Sequence, residues 1–152
     1  MSSNATRQLA ELIEQKYECL LRMRAIGHQQ ELLIADDDLT QLLRLLVAKQ
    51  QLLGRLHEIE HQLDPYRGAE PQERDWRRPE DRRRCAELLR CCESVLGEIV
   101  EQERRSEASL KQRRDEAAQR LAGFHRAGLA RGAYGGDAAL RPTQLDLSSD
   151  ST

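Results

Sequence analysis

The chain has 152 residues, of which 39% are hydrophobic and 33% charged, and it contains one Phe, one Trp and three Tyr. This composition is enough for one domain with a modest core, but it supplies few aromatic side chains to line an enzyme pocket. Its 24 basic and 26 acidic residues leave a net charge of -2, which excludes a global field that attracts nucleic acid or an anionic membrane.

Segments for membrane insertion or secretion are not evident in the sequence. No segment approaches the roughly 18 consecutive apolar residues that a membrane span requires. The first seven residues lack the hydrophobic core of a signal peptide. We therefore expect a cytoplasmic protein with no membrane insertion and no nucleic-acid partner.

The four cysteines, Cys19, Cys85, Cys91 and Cys92, are irregularly spaced. We expect reduced thiols, with Cys85 and Cys92 packed on one helical face as small apolar side chains. Metal or redox use is the less favoured interpretation, because zinc sites usually pair cysteines two to four residues apart.

The first predicted helix spans residues 4–34, where apolar side chains recur at helical spacing. Asn4 or Thr6 is the expected N-cap. Residues 35–38 then interrupt the pattern with three carboxylates, and Asp36 or Asp37 is expected to cap the next helix. The pattern predicts a short turn between two antiparallel helices.

The second predicted helix spans residues 37–63 and carries a Leu-rich seam at alternating spacings of three and four. The seam consists of Leu39, Leu42, Leu46, Lys49, Leu53, Leu56, Glu60 and Leu63. Such a stripe predicts burial against another helix, because a lone helix of this length is only marginally stable in water. Asp64 and Pro65 end the helix, since the proline ring clashes with the preceding turn.

Residues 64–79 form the predicted linker, which contains three of the four prolines. Trp76 is expected to fold back onto the helix ends. The third predicted helix spans residues 80–127, with Pro79 suited to its first position and Glu80 and Asp81 to its first turn. Its apolar stripe from Cys85 to Val100 is expected to pack, whereas residues 101–120 are expected to form an exposed surface.

Only four apolar positions continue this stripe beyond the polar stretch, namely Leu110, Ala117, Leu121 and Phe124. A helix over residues 80–127 would be near 70 Å long, against about 43 Å for each of the first two, so its last third lacks a partner of matching length. These positions are either an extension of the core or a face for the amphipathic helix of another protein.

The predicted fold is therefore all-α: an elongated antiparallel bundle of three long helices, in which a helical hairpin is followed by a longer third helix. The bundle domain spans residues 4–127. Glycines from Gly128 onward are expected to end the last helix, and residues 128–152 are predicted to form a disordered tail.

One short motif suggests chemistry, because His57, Glu58 and His61 match the zinc-hydrolase pattern H-E-x-x-H on a predicted helix. A catalytic zinc also needs a third ligand, and the extended pattern fails because Asp64 and Arg67 replace its Gly and third His. We therefore favour two solvated histidines, with no catalytic residue, metal or cofactor. A zinc hydrolase is retained as a minor alternative.

Three segments carry a family resemblance: residues 31–42 (ELLIADDDLTQL), residues 49–53 (KQQLL) and residues 134–137 (YGGD). With the long third helix, they make the chain similar to FlgN-type flagellar export chaperones over most of residues 7–137. It departs from the commoner tail of that family in having Ala138 rather than Gly after Asp137.

The resemblance implies a non-enzymatic cytoplasmic chaperone of flagellar type III export. Such proteins bind the C-terminal helical segments of hook-filament junction subunits and deliver these subunits to the export gate. It also implies that Leu110, Ala117, Leu121 and Phe124 contact the substrate protein and that Tyr134 docks on the gate. The alternative is a structural coiled-coil protein without a client, which self-associates, for example as a homodimer, through the same stripe.

Overall fold

The computed structural model describes residues 2–68, 74 and 76–134, and their regular structure is entirely helical. Helix α1 spans Ser2–Ala35, α2 spans Leu39–Leu63 and α3 spans Pro79–Tyr134, with a short 3-10 helix at Asp64–Tyr66. This confirms the predicted all-α class with a hairpin and a longer third helix. None of the helices in the described part of the chain is long and apolar enough to cross a membrane.

The chain divides into two compact units, Met1–Ser109 and Leu110–Thr152, which we call the bundle unit and the C-terminal unit. The predicted disordered tail was placed at residues 128–152. Residues 128–134 instead belong to α3, and residues 135–152 lie outside the described residues. Gly128 and Gly132 lower helix propensity by about 1 kcal/mol each but do not end the helix, because Ala, Leu and Arg around them favour it.

The turn between α1 and α2 is closed by backbone hydrogen bonds. The amide of Asp38 donates to the Leu33 carbonyl at 3.1 Å, and the amide of Asp37 donates to the Ile34 carbonyl at 3.2 Å. Asp37 has a φ of 57°, a left-handed conformation that Asp tolerates better than most residues. Helix α1 therefore ends at Ala35, one residue later than predicted, and α2 begins at Leu39, two residues later than predicted.

The N-caps therefore differ from those expected. Asp38, rather than Asp36 or Asp37, caps α2 by accepting a hydrogen bond from the amide of Gln41 at 3.2 Å. Helix α1 already begins at Ser2, and Thr6 is buried within it, so the expected caps Asn4 and Thr6 are wrong.

Helix α1 is antiparallel to α2 and parallel to α3, as ion pairs along their lengths show. Lys16 of α1 pairs with Glu60 near the end of α2 at 2.8 Å. Three further pairs join α1 to α3 in the same order along both helices, namely Glu14–Arg84, Arg24–Glu98 and Glu31–Arg105. Exposed pairs of this kind contribute little stability, but together they mark the register of α1 and α3.

The core of the bundle unit draws on all three helices. Its buried members are Leu9, Ile13, Cys19, Leu20, Met23, Ile59, Leu63, Cys85, Cys92, Val95 and Ile99. Trp76 and Tyr66 pack against this cluster from the connection, which confirms that Trp76 folds back onto the helix ends. Cys19, Cys85 and Cys92 are buried and reduced, as expected for small apolar core residues.

The buried seam of α2 differs from the predicted one. Leu42, Ile59 and Leu63 are buried, and the half-buried positions between them complete a spacing of three and four, namely Leu45, Lys49, Leu52 and Leu56. By contrast, Leu39, Leu46 and Leu53 of the predicted seam remain 64%, 37% and 38% exposed. The predicted and observed seams share Leu42, Lys49, Leu56 and Leu63. Their remaining residues lie on neighbouring sides of the helix.

A polar layer joins the three helices near the middle of α2. Lys49 pairs with Glu103 of α3 and donates a hydrogen bond to Gln30 of α1 at 3.2 Å. Next to it, Gln102 of α3 is buried and donates from Nε2 to the Arg24 carbonyl at 3.1 Å. Gln102 Oε1, however, is buried without a hydrogen-bond partner. The Lys49 contacts fix which side chains meet, because an alternative register would leave its ammonium group unpaired.

Gln102 and Ser106 correct the expectation that residues 101–120 are wholly exposed. Both side chains are buried, at 8% and 2% exposure, so the packed stripe of α3 continues past Ile99 to Ser106. By contrast, Leu96 and Val100, which were expected to pack, are 43% and 51% exposed because they lie on another side of the helix. Uncharged polar side chains are less costly to bury than charged ones, which explains how a stretch that is polar in sequence still contributes packing.

Gly27 and Gly97 provide a matched test of the α1–α3 contact. A Cβ at Gly27 would overlap the Gln102 carboxamide, whereas a Cβ at the exposed Gly97 has open space around it. We expect Gly97→Ala to raise the free energy of unfolding by about 1 kcal/mol through helix propensity. Gly27→Ala should stabilise the protein less than Gly97→Ala does, by about 1 kcal/mol or more in the free energy of unfolding. The reason is that the new methyl group displaces the Gln102 carboxamide from its hydrogen bond to the Arg24 carbonyl.

Urea unfolding of both variants, each also in a Gln102→Ala background, measures this difference. In that background the two glycine substitutions should have similar effects. Equal stabilisation by Gly27→Ala and Gly97→Ala in the otherwise unchanged protein would contradict the close approach of α1 and α3.

Glu60 gives the fold a pH dependence. Burial raises the pKa of its carboxyl, but hydrogen bonds and charge from Lys16 and Arg67 outweigh burial, so the pKa lies below its ordinary value. A lowered folded-state pKa stabilises the protein above the unfolded-state pKa, and this contribution is lost as the pH falls through the folded-state pKa. Glu60→Gln should therefore reduce the unfolding free energy at pH 7 by more than at pH 3. Denaturant titrations at the two pH values check this, and an equal loss at both would argue against the ion pairs.

Candidate protein-binding surfaces

The first candidate surface is the apolar face of α3 in the C-terminal unit. Leu110 is 40% exposed, and Leu121 and Phe124 are each 70% exposed. Ala117 is also exposed, and these four residues follow at intervals of seven, four and three, which places them on one side of the helix. Leu129 is also exposed, at 63%, but its spacing of five residues from Phe124 places it on a different side of α3.

Basic side chains surround this face. Residues 110–134 contain six Lys and Arg residues against two carboxylates. Both carboxylates, Asp115 and Glu116, precede Ala117, so the segment that carries Leu121 and Phe124 has only basic charges beside it. A helix that docks here is favoured if acidic residues flank its own apolar stripe.

Tyr134, the predicted gate-docking residue, is the last residue of α3. Its side chain and the residues that follow it lie outside the described part of the structure. The docking role therefore stays a prediction.

The second candidate surface was missed by the sequence interpretation and lies on the outer side of α2. Leu39, Leu43 and Val47 are 64%, 64% and 61% exposed, and Leu46 and Leu53 are more than one-third exposed. The signal was present in the sequence, because leucine occupies both 45 and 46 and both 52 and 53. One member of each pair packs inward, and the other is left on the surface.

Two apolar residues of α3 extend this second surface. Leu96 and Val100 are 43% and 51% exposed, and they precede Glu103 by seven and three residues. They therefore lie on the side of α3 that carries Glu103, the ion-pair partner of Lys49 on α2. The pair places this side of α3 next to α2, so Leu96 and Val100 border its outer face.

The H-E-x-x-H motif acquires no third metal ligand from the described part of the chain. His57, Glu58 and His61 are all exposed on α2, and Nδ1 of His61 lies 3.6 Å from Asp64. Among the described residues, no group of three or more His, Cys, Asp or Glu side chains is arranged to hold a metal ion. The imidazoles of His57 and His61 are accessible to solvent.

One cavity of about 240 Å³ lies between the first turns of α1 and α3 beside Trp76. Its charged lining is balanced, with Arg7, Arg77 and Arg84 against Glu11, Glu14 and Asp81. Arg84 and Glu14 pair with each other at 2.7 Å. The cavity therefore favours neither an anion nor a cation.

The buried thiols are poor nucleophiles. Burial raises the pKa of Cys85 and of Cys92 to about 11, and it also raises the pKa of Cys19. Since the thiolate is the reactive form, these three cysteines are placed for packing rather than for catalysis.

A comparison with protein-family models, curated proteins and solved structures finds no match.

Thiol labelling tests the packing of the cysteines. We expect one fast-reacting thiol at pH 8, the half-buried Cys91, and three slow ones that are buried. Cys85 and Cys92, with a pKa of about 11, are only roughly one-thousandth ionised at that pH, and burial also raises the pKa of Cys19. Iodoacetamide labelling followed by peptide mass spectrometry identifies the reacting residue. Cys91→Ser should remove the fast phase, and a fast phase that persists in this variant would contradict the burial of the other three.

Proposed function

We propose that the protein is a cytoplasmic chaperone of flagellar type III export. It binds the C-terminal helical segment of hook-filament junction subunits and delivers them to the export gate, with Tyr134 as the docking residue. The observation that supports this proposal is the exposed apolar face of the C-terminal unit, whose positions are those that the family resemblance assigns to substrate binding. The proposed role is binding, and no residue is assigned to catalysis.

The small number of large apolar side chains on that face suits reversible binding. Complete burial of a Leu or Phe side chain contributes about 1.5–3 kcal/mol, and part of this is offset by the cost of ordering the two partners. Only Leu110, Leu121 and Phe124 are large among the four predicted contacts. A face with so few anchors lowers the concentration of unbound client helix and still releases it for export.

Charge adds selectivity to this face. Arg120 and Arg131 lie beside the face that carries Leu121 and Phe124, and residues 117–134 contain no carboxylate. Client segments with Asp or Glu beside their apolar stripe should associate faster, and the rate should fall as salt screens the attraction. The face therefore distinguishes acidic amphipathic helices from basic ones of equal hydrophobicity.

The proposal is tested by a double substitution on this face. Leu121→Asp with Phe124→Asp should weaken binding of a purified hook-filament junction subunit at least tenfold, because two carboxylates replace its most exposed anchors. Isothermal titration calorimetry measures the affinity. Circular dichroism should show unchanged helical content for the bundle unit.

The matched control is Gln119→Asp with Ala122→Asp, which adds the same charge to exposed positions on the other side of the same helix. It should bind almost as well as the unchanged protein. Normal binding by the Leu121→Asp/Phe124→Asp variant would remove the assignment.

The competing function, a structural coiled coil, uses the same face for a second copy of the chain. Light scattering over a dilution series separates the two. A tight oligomer that Leu121→Asp with Phe124→Asp dissociates would favour the structural protein, whereas an unchanged oligomeric state in that variant leaves the face available to a client.

A further inference from the structure

We propose that the outer face of α2 in the bundle unit is a homodimer interface, in which α2 packs against α2 of a second copy of this chain. This interface is separate from the face assigned to the client, and the inference does not depend on the proposed function.

The spacing of the exposed residues indicates that the occupant of this face is a helix. They form a second seam with intervals of four and three, consisting of Leu39, Leu43, Leu46, Gln50, Leu53 and His57. This is the repeat through which two helices interdigitate, since it keeps one side of each facing the other. An extended strand would instead contact every second residue.

The residues beside the seam permit close approach of a second copy. Thr40, Val47 and Gly54 flank it on the side away from Lys49, and none of them is charged. Coiled coils select a different partner mainly through charged residues at such flanking positions. The other flank carries one charge, Lys49, which already pairs with Glu103 of the same chain, so the flanks offer no charge pattern that would favour an unlike helix over an identical one.

The polar seam residue Gln50 supports the same occupant. A polar residue in an apolar seam is tolerated where the partner offers a polar group at a matching height. A second copy supplies its own Gln50 at the corresponding place, whereas an unrelated amphipathic helix does so only by chance. The net charge of -2 is also too small for strong repulsion between copies.

A symmetric contact through the outer face of α2 would have an apolar centre. Seven side chains of the bundle unit would be covered by one symmetric contact: Leu39, Leu43, Leu46, Val47, Leu53, Leu96 and Val100. A standard interface buries about 800 Å² per partner around an apolar centre with a polar rim. These side chains supply such a centre, and exposed polar residues such as Arg44 and Gln51 supply the rim.

Sedimentation velocity between about 1 and 200 μM tests the oligomeric state of the full chain. We expect a concentration-dependent dimer. Leu43→Glu with Val47→Glu should weaken dimerisation at least tenfold, because it places like charges at the centre of the contact. Both positions are more than 60% exposed, so the variant should keep its helical content and melting temperature. The unchanged protein remaining monomeric throughout this range would overturn the proposal and leave the face for another protein's helix.

Site-directed cross-linking locates the contact. Both variants are made in a Cys91→Ser background. Gln50→Cys lies on the seam, and Arg55→Cys lies at an exposed position on the opposite side of α2. A short bis-maleimide should join two Gln50→Cys chains efficiently and two Arg55→Cys chains poorly. Equal cross-linking of both would indicate random collision and contradict the interface.

The two proposals fail independently. A dimer that Leu121→Asp with Phe124→Asp dissociates, while Leu43→Glu with Val47→Glu leaves it intact, would overturn the α2 interface. A dimer that Leu43→Glu with Val47→Glu dissociates, while Leu121→Asp with Phe124→Asp leaves it intact, supports the α2 interface. Client binding is then decided by the calorimetry.

Discussion

Helix α1 is the element on which the bundle unit depends, because both other helices pack against it. Leu20 is completely buried and Ile13 is 1% exposed, and their buried neighbours extend along almost the whole helix. Since α1 occupies one side of α2 and one side of α3, each of these helices has an outer surface that the chain itself does not cover. The hydrophobicity of those outer surfaces then decides what the protein can bind.

Polar contacts determine which side of α2 becomes the outer one. Lys49 is held by Gln30 of α1 and Glu103 of α3, so rotating α2 would remove its ammonium group from both. Apolar packing alone would not prevent such a rotation, since leucines lie on both sides of Lys49. The polar layer therefore keeps one set of leucines in the core and leaves the other set on the surface.

The fold class, the hairpin and the start of α3 could be predicted because periodicity, Pro65 and Pro79 each have local effects. The rotation of α2 could not be predicted from its leucines, since Leu45 and Leu46 fit the alternative seams equally well. The residues at positions 59 and 60 were the informative ones. The observed seam buries Ile59, whereas the predicted seam would have placed Glu60 in the core. The buried Gln102 was missed for another reason: its partner, the Arg24 carbonyl, is a backbone group that leaves no trace in the sequence. For the candidate site, periodicity placed Leu121 and Phe124 on one side of α3 but left open whether that side was core or surface, because this depends on which helices lie nearby.

The two exposed surfaces differ in density, and this difference argues for different uses. On α2, leucine fills four of the six outer seam positions, and each pair of neighbouring seam residues is within one helical turn. On α3, seven residues separate Leu110 from Ala117, which is itself small. Regularly spaced leucines allow side chains of both helices to interdigitate along the whole contact, as in a lasting association. A few separated anchors make a contact that dissociates readily, which is what a protein that must hand over its client requires.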